Sequence, residues 1–258
     1  PAVKGTENIL NSILSHGKDV KRVVITSSFA SVVHPVDGVV TFTVDKDWNT
    51  HAPAEVEKKG NEVDGMTAYR ASKTLAERAA WAFVEKNKPS WDLATVCPPL
   101  VLGPHIHQCE SPEKLNTSSK MAYDLFAGKK DEASLKNPAG NCVDVRDVAD
   151  VHIKALTTAA AGGQRLPASY GPYTWQDFAD AIQDSKSISS EAKSKAVKGE
   201  KGAGKSVKQN IFDGSKSEKT LGIKYKDVQQ QADDMALAFE EYEKRGWKGL
   251  PDAKLLAL

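Results

Sequence analysis

Nowhere in this 258-residue sequence is there an apolar run near the length of a membrane span, a signal-peptide pattern or an initiating Met. Such a chain is expected to be soluble and cytoplasmic, and its start reads as cut. An excess of one charge sign is missing too. Thirty-five basic against 34 acidic residues give a formal charge of +1, which offers no electrostatic reason to expect nucleic acid or an anionic membrane as a partner. Cysteine is scarce: Cys97, Cys109 and Cys142 are odd in number and scattered. That suggests a reducing compartment and no disulfide framework. What is present is 40% apolar residues, enough to bury a sizeable core in one large α/β domain or two smaller ones.

The stretch Tyr69-Arg70-Ala71-Ser72-Lys73 carries the first chemical signal. On a helix, residues four apart lie one above the other. A free phenol is too weak an acid to pass protons at neutrality, and an ammonium held beside it favours the phenolate. Tyr69 is therefore a candidate general acid or base. A Tyr/Lys pair at this spacing also arises by chance on solvated helices, so its surroundings decide.

Those surroundings alternate between helical and strand patterns. Apolar residues at 9, 10, 13 and 14 predict an amphipathic helix ended at Gly17. Val23 to Ser28 reads as a buried parallel strand that delivers small hydroxyls to its carboxyl end, where open α/β sheets bind ligands. A long irregular segment, Phe29 to Met66, follows, of a length that is usually functional or a cover. Thr67 to Glu85 is expected to be helical, with Leu75, Ala79, Ala82 and Phe83 as its apolar stripe. Leu93 to Cys97 is the next strand, closed by Pro98-Pro99. Further expectations are a helix over 113–127, a strand over Cys142 to Val145, a helix over Arg146 to Thr157, a strand over Arg165 to Ser169, and helices over Trp175 to Gln183 and Asp227 to Lys244. Met235, Leu237, Ala238 and Phe239 are core candidates. Lys186 to Lys208, with seven Lys and two Glu, reads as a solvated, flexible insertion. The alternation is the α/β doubly wound signature.

Three constellations are weighed and set aside. Gly199 to Ser206 spells the phosphate-loop pattern, but no buried strand precedes it and no helix pattern follows, so a Lys-rich linker is expected. His105, His107 and Cys109 are zinc-donor types in a Pro-flanked loop without a second pair to complete four ligands. Asp144, at a strand-to-helix junction, is read as scaffold.

Thr26-Ser27-Ser28, Tyr69 to Glu77, Pro98 with Val101-Leu102-Gly103-Pro104, and Val143 to Ala149 together resemble the extended short-chain dehydrogenase/reductases of the NAD-dependent epimerase/dehydratase type. Within them the chain is similar to fungal aldehyde and ketone reductases related to dihydroflavonol reductase; Pro1 to Thr6, Phe212 to Lys216 and Leu221-Gly222-Ile223 fit the same branch. The resemblance implies the C-terminal part of a doubly wound, Rossmann-like parallel sheet over residues 1–170, with a substrate-lobe insertion at about 104–141. A smaller, mostly helical substrate lobe would occupy 171–258. It implies that Ser28 hydrogen-bonds a substrate carbonyl, Tyr69 donates the proton, and Lys73 holds the nicotinamide ribose. Pro98, Leu100 and Val101 would line the nicotinamide, and Ser118 would reach the phosphates of NADP, or of NAD. The substrate would be a small aldehyde or ketone.

The family's opening strand, Gly-rich turn and helix are not found in the sequence, about 80 to 90 residues at roughly 30 per βαβ unit. The strand bearing Ser28 should therefore lie at the rim of a short parallel sheet, and the chain alone should be inactive. Two alternatives stand beside a truncated carbonyl reductase: an epimerase, dehydratase or hydroxysteroid dehydrogenase, and a non-catalytic binding remnant.

Overall fold

The computed structural model describes residues 1–249. In chain order these form α1 (Ala2–His16), β1 (Arg22–Thr26), a single 3-10 turn (Phe29–Ser31), β2 (Thr41–Phe42), α2 (His51–Lys59), α3 (Gly65–Asn87), β3 (Asp92–Cys97) and β4 (Leu100–Leu102). Then come α4 (Thr117–Phe126), β5 (Asn141–Asp144), α5 (Val145–Thr157), β6 (Arg165–Pro167), β7 (Gly171–Pro172) and α6 (Trp175–Asp184). The remainder is α7 (Ser190–Lys195), β8 (Ile211–Phe212), α8 (Ser215–Leu221) and α9 (Val228–Lys244). They divide into two compact units, the first made of residues 1–99, 149–169 and 210–224. The second takes the rest.

The first unit is built on a parallel sheet of order β1-β3-β6, with Val24 opposite Ala94 and Val96 opposite Leu166. β1, the strand leading to Ser28, lies at the rim, as the sequence predicts. Val23 and Ile25, two apart and so on one face, point into a cluster with Leu10 of α1 and Ala80 and Phe83 of α3. α1 stops at Gly17, whose amide donates to Ile13 O at 2.7 Å; a Cβ there would meet the same oxygen. At the start of β1, Arg22 forms a two-pronged pair with Asp92 (2.5 and 2.9 Å) and donates to the carbonyls of Ala155 and Thr158 at the end of α5. The long 29–66 segment closes on a second cluster: β2 pairs with β8, and Val32, Phe42, Val44, Cys97 and Phe212 are buried together. That pairing holds 210–224 in this unit rather than in a C-terminal lobe, and Ser169 adds a hydrogen bond to Phe212 O.

α3 departs from the predicted stripe. Leu75 is 41% exposed and Ala82 is exposed, while Ala71, Thr74, Glu77, Ala80 and Phe83 face inward. Hydropathy places a Thr and a Glu outside; here both are buried because hydrogen bonds satisfy them, Thr74 to Arg70 O and Glu77 to the groups described below.

In the second unit β4 runs parallel to β5, and β5 antiparallel to β7. Its core gathers Leu125 and Phe126 of α4, Phe178 and Ile182 of α6, and Met235 and Phe239 of α9. Leu237 is only partly buried against it. At the start of α5, Arg146 bridges Asp144 (2.7 Å) and Asp234 (2.6 Å), which ties that junction to α9.

Residues 186–208 are not a solvated linker. Ile188, Ala192, Ala196 and Val197 are buried in the core of the second unit, and Ser189 caps α7 through Ala192 N. Four apolar side chains, three of them four residues apart, outweigh the polar composition.

Candidate active site

Thr26 ends β1, and the ladder continues one step further as Ser27 N donates to Val96 O at 2.7 Å. The chain then turns. Ser28 caps the 3-10 turn, its Oγ accepting from Ala30 N at 3.1 Å, and Phe29 N donates to Pro98 O at 2.9 Å. Ser28 and Pro98 thus sit side by side at the carboxyl ends of adjacent parallel strands, where such sheets bind ligands. Ser28 is 7% exposed, and its hydroxyl proton has no acceptor among the described residues.

α3 packs against that turn. Asp64 caps it by accepting from Met66 N and Thr67 N, which places Tyr69 in the second turn and Lys73 one turn further. The Lys73 ammonium lies 5.9 Å from the centre of the Tyr69 ring, and Tyr69 is 46% exposed. The predicted Ser28, Tyr69, Lys73 and Pro98 therefore all lie in the first unit, Ser28 and Pro98 just past the ends of β1 and β3 and the other two on α3. Leu100, Val101 and Ser118 lie in the second: the first two on β4, the last in the first turn of α4 with its Oγ 3.5 Å from Asn116 Oδ1.

One member of this region was not among the sequence candidates. Glu77, two turns beyond Tyr69, has no exposed side-chain surface. Its Oε1 accepts from Thr95 Oγ1 (2.8 Å) and Arg165 Nε (2.8 Å); its Oε2 accepts from Ser27 Oγ (2.6 Å) and lies against Ser31 Oγ. Burial acts to raise this carboxyl, but the Arg165 guanidinium, together with the Ser27 and Ser31 hydroxyls, holds it below the ordinary Glu value. Arg165 also donates to the carbonyls of Val44 and Asp47, and its guanidinium lies 3.6 Å from the centre of the Trp48 ring. The spacing 69, 73, 77 on one helix was the available signal for Glu77. Arg165, 88 residues away, left none. Beside the carboxylate, burial pushes the Cys97 thiol up to about 12, so it stays neutral.

The phosphate-loop string has a structural explanation. Gly202 N donates to Asp180 of α6 at 2.8 Å, Lys201 pairs with Asp184 at 2.6 Å, and a Cβ on Gly204 would lie 2.2 Å from Thr174 Oγ1. Gly199 and Gly204 serve close packing on α6 and its cap. His105 is buried and stacked on Tyr242 at 4.4 Å, and burial, then the neighbouring His107, pushes its imidazole down to about 4. Among the described residues no group of three or more His, Cys, Asp or Glu is placed to hold a metal, and no helix is long and apolar enough to cross a membrane.

A parallel sheet with a Ser at one strand end and a Tyr/Lys pair on the following helix narrows the class, and comparison with known proteins gives the family. Residues 2–167 match the model of the NAD dependent epimerase/dehydratase family, and the chain belongs to that family. It is similar to the NADPH-dependent methylglyoxal reductase GRE2 of Saccharomyces cerevisiae, 34% identical over 95% of this chain and 71% of that protein. To the ketoreductase azaE of Aspergillus niger it is 35% identical over 88% of this chain and 65% of that one. Among solved structures, yeast methylglyoxal/isovaleraldehyde reductase Gre2 complexed with NADPH superposes with a TM-score of 0.80 at 31% identity, covering 95% of this chain and 71% of that one. The chain thus spans about two thirds of the length of these relatives. The extended short-chain type, the α/β Rossmann-like fold and the kinship with NADPH-dependent oxidoreductases follow.

Proposed function

We propose that this protein is a carbonyl reductase that uses NADPH to reduce small aldehydes and ketones, with the catalytic groups Ser28, Tyr69 and Lys73. The observation that carries this reading is the Ser28 hydroxyl. Its oxygen is already engaged by Ala30 N and its proton is unspent, at the carboxyl end of a strand against which the Tyr69 helix packs. The Ser28 O–H donates to the substrate oxygen, and Tyr69 gives up its phenolic proton as that oxygen gains charge. The Lys73 ammonium stabilises the phenolate left behind.

The donors present fit the nicotinamide end of the cofactor: a phenol and an ammonium one turn apart, with the Pro98 ring as an apolar neighbour whose carbonyl is already engaged by Phe29 N. Bound there, NADPH supplies the hydride. Tyr69 and Lys73 would hold its nicotinamide ribose. Leu100, Val101 and Ser118 lie in the second unit, and the reading does not rest on them. For the pyrophosphate, no Gly-rich turn from strand to helix exists among the described residues, so these 258 residues alone are expected to bind NADPH weakly and to be inactive. Three free, buried thiols support a cytoplasmic setting.

The test is NADPH oxidation by the full-length protein with a panel of aldehydes and ketones, methylglyoxal and isovaleraldehyde among them because the yeast relative Gre2 carries those names. Turnover that Tyr69→Phe abolishes supports the reading. Turnover of nucleotide sugars or sterols in place of carbonyls, or cofactor binding with no turnover of any kind, overturns it.

A further inference from the structure

We infer that Glu77 is a positioning residue for Ser28, holding from beneath the turn that aims the Ser28 hydroxyl. This inference rests on the carbonyl-reductase reading. Ser28 lies between two other serines of one short turn, and both engage the same carboxylate: Ser27 Oγ donates to Glu77 Oε2 at 2.6 Å, and Ser31 Oγ lies between that oxygen and the Ser28 carbonyl, which it meets at 2.7 Å. Ser27, which precedes Ser28, and Ser31, which meets its carbonyl, are thereby fixed to one atom. That atom belongs to α3, the helix that carries Tyr69 and Lys73. A displacement of the serine turn relative to the phenol therefore requires breaking the bonds at Glu77.

The carboxylate is itself held in place. Thr95 Oγ1 reaches it from β3 and Arg165 from β6, and the Arg165 guanidinium is pinned on Trp48 and on the carbonyls of Val44 and Asp47. A buried ion pair alone is a poor source of stability, since hydrophobic residues of similar volume commonly do as well. The choice of hydroxyl partners on both sides of Ser28 is what a stability role leaves unexplained. Ser28 differs from its neighbours in one respect: it makes no bond to Glu77 and keeps its proton. The network orders the turn and leaves that one donor free for a substrate oxygen.

A double-mutant cycle in the full-length protein tests this, measuring kcat for a carbonyl substrate and the dissociation constant for NADPH in the native protein, Glu77→Gln, Ser28→Ala and the double variant. Glu77→Gln keeps the shape and is expected to lower kcat about 10- to 100-fold, the scale of a misplaced catalytic group. NADPH affinity should be unchanged. In the Ser28→Ala background the same change should lower kcat no further, because its effect passes through Ser28. An equal loss in both backgrounds, or unchanged kcat in Glu77→Gln, overturns the inference while leaving carbonyl reduction intact. Should Glu77→Gln not fold, the pair Ser27→Ala and Ser31→Ala enters the same cycle with the same outcomes. A native protein that reduces no carbonyl overturns the proposed function, and this inference with it.

Discussion

Arg165 on β6 donates from Nε to Glu77 on α3 at 2.8 Å, with side-chain exposures of 10% and 0%, and so ties one edge of the sheet to the helix that carries Tyr69. Removing the cation while keeping bulk, as in Arg165→Met, strands a buried carboxylate. The expected cost is about 3–5 kcal/mol, whereas breaking the exposed Lys201–Asp184 pair with Lys201→Ala should leave stability nearly unchanged. Urea unfolding midpoints of the two variants check the contrast. The sign with pH follows from Glu77, whose folded value is depressed: its stabilising share is present above the ordinary Glu value and is lost as pH falls through the folded one. Acid should therefore narrow the gap between Arg165→Met and the native protein.

Tyr69→Phe removes one oxygen from a half-exposed ring. Carbonyl reduction should fall about 10²–10⁴-fold, the usual worth of a positioned general acid, while the variant still binds NADPH through Lys73 and keeps its thermal stability. Near-native turnover in steady-state assays of the Phe variant would remove Tyr69 from the chemistry.

Two neighbouring substitutions separate the phosphate-loop reading from the packing one. Lys205 is exposed, so Lys205→Ala should alter neither nucleotide affinity nor the melting temperature. Gly204→Ala forces a methyl against Thr174 and Asp177 at the cap of α6 and should cost about 1–3 kcal/mol. ATP binding by calorimetry that vanishes in Lys205→Ala would reverse this assignment.

His105 gives the second unit its own acid dependence. Its ordinary value of 6.5 falls to about 4 when it is buried against Tyr242 and beside His107. Between those values the unfolded chain binds a proton that the folded one refuses, so stability falls as pH drops through the window, by on the order of 3 kcal/mol in full. His105→Phe keeps a ring for the stack and should flatten that part of the profile. An unchanged slope from pH-dependent denaturation would show that another group carries it.

The parts of the fold visible in the sequence are those where one physical signal dominates. Val23 to Ile25 and Leu93 to Cys97 are apolar runs bounded by turn residues, and both are strands in register. Tyr69 and Lys73, four apart in the sequence, lie one turn apart on the expected helix. Each four-residue step turns about 40° around a helix axis at 3.6 residues per turn, so the row 69, 73, 77 winds from an exposed ring to a fully buried carboxylate. A polarity scan stops before the end of that row, because it assigns Glu to solvent. The partners that reverse the assignment are remote in sequence: Arg165 and Trp48 meet only after the sheet has formed. Residues 186–208 were misread for the opposite reason. Their Lys, Ser and Gly content hides Ile188, Ala192, Ala196 and Val197, whose burial depends on a core assembled from α4, α6 and α9.

All three cysteines are free and buried, Cys97 and Cys142 with thiols that burial pushes upward. The thiolate is the reactive form and all three sulfurs are buried, so the folded chain should react slowly with maleimides and iodoacetamides. A single Cys introduced at an exposed helical position such as Arg78 or Glu85 would then carry a fluorophore or spin label with little background. Distance measurements on the native sequence could proceed without first stripping its own sulfurs.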